Sequence, residues 1–410
     1  MYSGYKEPSE MVKDSKLDLN STNRLEVTLG EMDLDGNCLT CYGGNLASVS
    51  GGIPGEKVIA ELVRIRGSHH HLRVIDVLSA SIHRVNPPCP YYWPCTGCQW
   101  QHISYSYQLI LKQQNVQSAL EQYSRLCKTM VSSTWPSVTE FGYRNHARFT
   151  IGPRGALGFV NRITRKFVEV RECLLMDPWI NTAMEELRGH CNETSQLSIR
   201  YGVNTGEWLI QPRLVDPNVT LSSGQTNYRE SVENRTFQVG SPSFFQVNTH
   251  QIKKMVGILR AGLQLQGDEL LIDAYAGVGT FAALLASSVG RVIAIEESSS
   301  AIKDASNNVS DLDNLELKRG RVEQVLLNLD QIPDVVILDP PRSGCDPSVL
   351  ESLDKLSPAK IAYVSCDAST MSRDLDQLIN FGYSVQSIQP IDLFPHTHHV
   401  ECIAFLFRGI

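Results

Sequence analysis

Apolar and polar residues alternate along the first stretch of this chain that carries a period. Leu25-Glu26-Val27-Thr28-Leu29, Lys57 to Val63 and Leu72 to Val77 each read as half-buried β-strands. Gly36, Gly43-Gly44, Gly51-Gly52 and Gly55 punctuate them, so residues 22–84 predict a small barrel. The run His69-His70-His71 falls at a hairpin tip on this reading. Prolines crowd residues 85–100 and stop any helix or central strand. A helical period follows over 104–127, with Leu109, Val116, Leu120 and Tyr123 on one stripe. From Phe141 to about Gln238 the pattern is β with turns.

The period changes again near Gly240. A helix over Thr249 to Leu265 precedes the apolar strand Glu269 to Asp273, which runs into a glycine loop. Apolar strands then recur at 291–296, 334–339, 360–365 and 401–407 with helices between them. That alternation predicts a doubly wound α/β unit. The expected division is a flexible tail over 1–21, a barrel over 22–84, a central α+β region over 85–240 and an α/β catalytic region over 241–410.

Composition narrows the class. The chain is 42% hydrophobic and 20% charged, with no run of eighteen apolar residues, which excludes a membrane-spanning helix. Residues 1–20 are polar, unlike a signal peptide, and a cytoplasmic protein is expected. A formal net charge of −7 excludes a generic nucleic-acid coat but leaves room for a local basic face. Residues 141–173 carry seven such cations, Arg144, Arg148, Arg154, Arg162, Arg165, Lys166 and Arg171, against Glu169 and Glu172. They form a candidate phosphate-binding face.

Eleven cysteines in such a chain point to metal or catalysis rather than disulfides. Cys38, Cys41, Cys127, Cys191, Cys345 and Cys402 are scattered, and most read as small buried hydrophobes. Cys89, Cys95 and Cys98 are tightly spaced, and Cys173 follows at a distance. Three close thiols and one remote thiol suit a four-thiolate site, iron–sulfur or zinc.

The chemistry concentrates in the last third. Asp273 to Phe281 is a strand–loop–helix junction with a short GxG, and the next strand ends in Glu296, an acid able to hold ribose hydroxyls. No lysine follows the loop to meet phosphate, and the third glycine of a dinucleotide fingerprint is missing, so S-adenosylmethionine is the better match. Asp339-Pro340-Pro341-Arg342 follows another strand and has no cysteine after its prolines, which opposes a cytosine-C5 enzyme. Cys366 ends the strand Ile361 to Val364 at the start of a helix, a position that lowers a thiol pKa. Glu401 opens the apolar run Cys402 to Phe407, where an acid is costly unless paired or functional. A thiol nucleophile, a carboxylate base and a methyl donor together suggest covalent catalysis on a pyrimidine.

As a set these motifs resemble the iron–sulfur branch of the RNA 5-methyluridine methyltransferases, from about residue 22 to the end. The matching residues are Cys89, Cys95, Cys98 and Cys173; Phe244 to Asn248; Asp273 to Phe281; Asp339 to Arg342; Ser365-Cys366-Asp367 with Thr370 and Arg373-Asp374; and Phe394 to Glu401. The resemblance implies an N-terminal OB-like TRAM barrel, a central domain with a 4Fe–4S cluster, and a Rossmann-like methyltransferase domain onto which helix 104–127 packs back. It implies S-adenosylmethionine contacts at Gln246, Tyr275, Glu296 and Asp339, Cys366 as nucleophile, Glu401 as proton acceptor and the four cysteines as cluster ligands. The implied substrate is rRNA, 23S above all, or else tRNA, bound by a monomer without an obligate protein partner. A redox-sensing RNA binder with an inert methyltransferase domain is the alternative that the intact Cys366 and Glu401 oppose. The family often has Asn-Pro after the nucleophile, where this chain has Asp367-Ala368.

Overall fold

The computed structural model describes residues 24–409; the tail expected over 1–21 lies outside them. Strands β1 (Arg24–Thr28), β2 (Cys38–Tyr42), β3 (Asn45–Ser50), β4 (Lys57–Arg66) and β5 (His69–Ser79) form a five-stranded sheet in the order β1-β4-β5-β3-β2. Its alternating residues Leu25, Val27, Val58, Ala60 and Leu72 enclose one apolar cluster. The histidine run opens strand β5 instead of capping a hairpin, because Gly67, at φ +61°, takes the tip. Ser48 Oγ then meets His69 Nε2 at 2.9 Å and His71 Nδ1 at 3.0 Å. Cys38 is buried and Cys41 is half-buried on β2, and three steps along a strand put them on opposite faces.

Helix α1 (Tyr105–Glu121) buries Gln108, Leu111, Lys112, Val116, Ala119 and Leu120 at helical spacing. Strands β6 (His146–Ile151), β7 (Leu157–Val160) and β8 (Phe167–Glu169), helix α2 (Pro178–Leu187), and strands β9 (Gln196–Tyr201) and β10 (Trp208–Gln211) follow. The five strands form a sheet in the order β10-β9-β6-β7-β8, and α2 packs its Ile180, Ala183, Met184 and Leu187 into the cluster beneath it. Strands β11 (Asn227–Val232) and β12 (Arg235–Gly240) make a hairpin.

The C-terminal region contains α3 (Thr249–Leu263), β13 (Leu270–Ala274), α4 (Thr280–Leu285), β14 (Arg291–Glu296), α5 (Ser299–Asn308), β15 (Leu315–Arg319), α6 (Val322–Leu327) and β16 (Val335–Leu338). It continues with α7 (Pro347–Leu356), β17 (Lys360–Ser365), α8 (Ala368–Asn380), β18 (Tyr383–Ile391) and β19 (Glu401–Arg408). The sheet order is β15-β14-β13-β16-β17-β19-β18, parallel except for β19, which runs antiparallel to both β17 and β18. Buried on both faces, β13, β14, β16 and β17 read as continuous apolar runs. Large apolar clusters cover the two faces. Helix α1 packs against α8 and β18, and its Val116, Ala119 and Leu120 join one of those clusters. Among the described residues, no helix is long and apolar enough to cross a membrane.

Candidate active site

The parallel strands end along one edge of the large sheet, where open α/β folds hold their ligands. At the end of β13, Tyr275 adopts φ +66°, a left-handed conformation that is rare for an aromatic residue. Gly277 and Gly279 also have positive φ, and the chain turns tightly into α4. Glu296, ending β14, accepts hydrogen bonds from the Gly277 amide at 2.9 Å and the Ser298 amide at 2.7 Å. Asp273 is fully buried; one oxygen accepts the Ala282 amide at 2.8 Å and the other has no partner. Burial pushes its pKa up to about 7. Gln246 lies on the segment before α3, its carbonyl held by Asn145 Nδ2 at 3.1 Å. Phe244, two residues earlier, is exposed.

Strand register brings together residues far apart in sequence. Leu338 pairs with Tyr363, and Ser365 pairs with Cys402. The next antiparallel step therefore sets Cys366 opposite Glu401. Asp339 follows the neighbouring strand end, and electrostatic interactions link Asp339, Arg342, Cys366 and Glu401. Glu401 is 3% exposed, and burial, then repulsion from Asp339, raises its pKa well above the usual carboxylate range. Asp339 is raised as well, by burial. The loop after Asp339 is anchored through Asp374, which accepts the Tyr363 hydroxyl at 2.5 Å and the Cys345 amide at 2.8 Å.

Cys366 is half-buried and sits directly before α8, whose N-cap is Asp367, accepting the Thr370 amide at 3.0 Å. The helix start does not leave a low-pKa thiol. Burial, then the Glu401 carboxylate, pushes Cys366 up to about 11, and Arg342 pulls only partly the other way. The sequence expectation of a lowered pKa is thus corrected: desolvation and a like charge outweigh the helix end. In the resting site the thiol is protonated near neutral pH, and burial favours the neutral form of the Glu401 carboxyl.

The four cysteines converge from distant segments. Cys89, Cys95, Cys98 and Cys173 line one cavity of about 260 Å³ with Tyr91, Arg144 and Arg162. Burial raises all four thiols, Cys98 up to about 12 and Cys173 up to about 11. Amide hydrogen bonds oppose it: from Tyr91 to Cys89, from Gly97 to Cys95, and from Leu175 and Met176 to Cys173. Arg144 Nε is buried there without a partner. Among the described residues, no three His, Cys, Asp or Glu side chains converge on a point that suits a single metal ion.

The basic stretch is divided. Arg148, Arg154, Arg162, Arg165, Lys166 and Arg171 are exposed, Arg148 and Arg162 also reaching the rim of the cysteine cavity, whereas Arg144 is half-buried against it. Sequence reasoning missed Asp273, Gln108 and Lys112 as site residues. A signal existed for two of them: an acid ends an apolar strand at Asp273, and a lysine falls on the buried stripe of a helix at Lys112.

A Rossmann-like sheet with an acid-rich crevice and an opposed cysteine–glutamate pair defines a group-transfer enzyme of the methyltransferase fold. The chain belongs to a family of RNA methyltransferases. The family model described as tRNA (Uracil-5-)-methyltransferase matches residues 219–409. An uncharacterized RNA methyltransferase of Nostoc sp. is 31% identical, with 93% of this chain and 96% of the relative covered. One from Halalkalibacterium halodurans is 30% identical over 95% of this chain and 98% of the relative. Among solved structures, the tRNA (uracil-54, C5)-methyltransferase of Pyrococcus abyssi, in complex with S-adenosyl-L-homocysteine, superposes with a TM-score of 0.75. It shares 26% identity, with 93% of this chain and 100% of that chain covered.

Proposed function

We propose that this enzyme forms 5-methyluridine in RNA through a covalent cysteine–uracil adduct. The observation that carries the reading is the β17–β19 register, which sets Cys366 against Glu401 at the mouth of the crevice. Bound S-adenosylmethionine supplies an electrophilic methyl group on a sulfonium. The site fits that cation: Asp273, Asp339 and Glu401 are enclosed carboxyls with raised pKa values, and one oxygen of Asp273 has no partner. Gln246, Tyr275, Glu296 and Asp339 are the residues that would hold it.

The target uridine must leave its stack to reach Cys366. The thiol releases its proton to solvent, and its sulfur adds to C6, opening the C5–C6 double bond and making C5 nucleophilic. C5 bonds the methyl carbon as the carbon–sulfonium bond breaks. Glu401, ionised at this step, takes the C5 proton; the electrons of that C–H bond restore the double bond and expel the Cys366 sulfur.

Cys89, Cys95, Cys98 and Cys173 are proposed to hold a 4Fe–4S cluster. The cavity volume, the amide bonds aimed at sulfur and the unpaired Arg144 Nε suit an anionic polynuclear group. The N-terminal sheet is proposed as a TRAM barrel, and with the exposed arginines of 148–171 it would grip RNA by shape and phosphate.

The proposed substrate is rRNA, 23S first. A tRNA substrate is the second reading, favoured by the solved neighbour's own substrate. Nucleoside mass spectrometry on separated rRNA and tRNA, with and without the gene, decides between them. Loss of 5-methyluridine from one pool identifies it, and no loss from either sinks the activity. Trapping on 5-fluorouridine RNA tests the adduct, which should map to Cys366 and survive denaturant. An adduct on Cys345 or Cys402 would overturn the nucleophile.

A further inference from the structure

The segment 392–400, between β18 and β19, ends at the proposed base Glu401. Its centre is His396, held at φ +66°, a conformation costly for a non-glycine residue unless its surroundings impose it. Two of those surroundings adjoin, along the chain, residues that line the cysteine cavity. The His396 carbonyl accepts the amides of Gln99 at 3.1 Å and Trp100 at 3.0 Å, directly after Cys98. The Pro395 carbonyl accepts the Tyr143 hydroxyl at 3.1 Å, and Phe141 stacks on the His396 ring with centroids 4.3 Å apart. Tyr143 is in turn flanked by two backbone bonds to the residues after Cys173: Gly142 to Leu174 and Arg144 to Leu175, each 2.9 Å. Arg144 itself lines the cavity.

The opposite side of the loop is fixed independently. From α1, Gln108 receives the His396 amide at 2.9 Å, and Lys112 reaches Asp392 at 2.6 Å and the Phe394 carbonyl at 3.1 Å. The loop is thus gripped between a helix and the two chain segments that carry Cys98 and follow Cys173.

We propose that the four-cysteine site is a positioning element for the proton-accepting step. Filled, it holds residues 98–100 and 142–144, which hold Pro395 and His396, which in turn place Glu401. Cys366 lies between β17 and α8 and is outside this chain of contacts. Emptying the site therefore disturbs the departure of the C5 proton before it disturbs thiol addition. Tyr143 is a positioning residue: it touches the loop, not the reacting atoms. The proposal rests on the uracil-C5 reading for its kinetic consequence, but its structural half does not.

The structural half is tested without RNA. Hydrogen–deuterium exchange is compared between metal-loaded protein and protein stripped anaerobically with a chelator. Faster exchange in 392–400 and around 98–100, with α8 unchanged, is expected. Unchanged exchange in 392–400, or a rise that spreads through α8 and the core strands, overturns the coupling. The kinetic half uses Tyr143→Phe, which keeps all four cysteines. With metal content and S-adenosylmethionine affinity at wild-type levels, turnover should fall ~10- to 100-fold, and a covalent protein–RNA adduct should accumulate on unmodified RNA. Wild-type turnover without adduct overturns the positioning role. Wild-type protein that fails to trap 5-fluorouridine RNA would instead sink the uracil-C5 reading, while the exchange experiment still decides the coupling.

Discussion

At the scale of single residues, protonation controls the site. Cys366 is raised to about 11, so its thiolate fraction grows about tenfold per pH unit across the neutral range. Single-turnover methyl transfer should climb with pH between 6 and 9 until another step limits it; a flat profile would show that the thiol is already ionised. Asp273, raised to about 7, is ionised mainly above that pH. A sulfonium favours its charged form, so S-adenosylmethionine should bind ~10-fold more tightly at pH 8 than at pH 6, measured by calorimetry. Asp273→Asn should remove that dependence. Glu401→Gln keeps the shape but cannot accept the C5 proton, so methylated covalent adduct should accumulate while Cys366→Ala forms none. Cys366 and Glu401 stood out in the sequence as candidates, because a thiol at a strand end and an acid opening an apolar run are each conspicuous. Their protonation was not legible, since it depends on what encloses them.

At the scale of elements, the central strands of the seven-stranded sheet were readable and its edge strands were not. The continuous apolar runs of β13, β14, β16 and β17 marked themselves, but β15 and β18 did not. They stand at the two edges of the sheet; β15 is half-buried to exposed throughout, and β18 mixes buried with exposed positions. Helix α1 ends at Glu121, short of the 127 that its stripe suggested, and a hydrogen-bonded turn follows it, with Leu126 donating to Tyr123 at 2.9 Å. The helix carries a fully buried lysine, and both Lys112 and Asp392 have 0% exposed side chains at 2.6 Å. Removing one partner leaves an uncompensated buried charge, so Lys112→Met should cost ~3–5 kcal/mol in denaturant unfolding. Loss of less than about 1 kcal/mol would mean that Asp392 takes up a proton at little cost.

At the scale of the whole molecule, the basic stretch divides its labour. Arg165 is exposed, whereas Arg144 faces the cysteine cavity. Arg165→Ala should lower the salt dependence of RNA binding by about one unit of slope. Arg144→Ala should leave that slope alone and reduce the metal content of purified protein instead. Equal slopes for both variants and wild type would place the RNA footprint elsewhere. The purified protein should be brown and contain iron and sulfide; stoichiometric zinc alone would rule out the cluster.

The sequence by itself determined the α/β character of the C-terminal region, the strand ends that carry chemistry, the cysteine group and the likeness to the uracil-C5 enzymes. These are local features: periods of two and 3.6, glycine turns, and spacings within a few residues. Tertiary structure alone decided that Glu401 lies opposite Cys366, because an antiparallel last strand fixes that register. It alone raised the thiol pKa, through burial and a neighbouring carboxylate. It alone placed the cysteine cavity beside the loop that leads to Glu401, through hydrogen bonds that cross nearly three hundred residues of chain, such as Trp100 to His396.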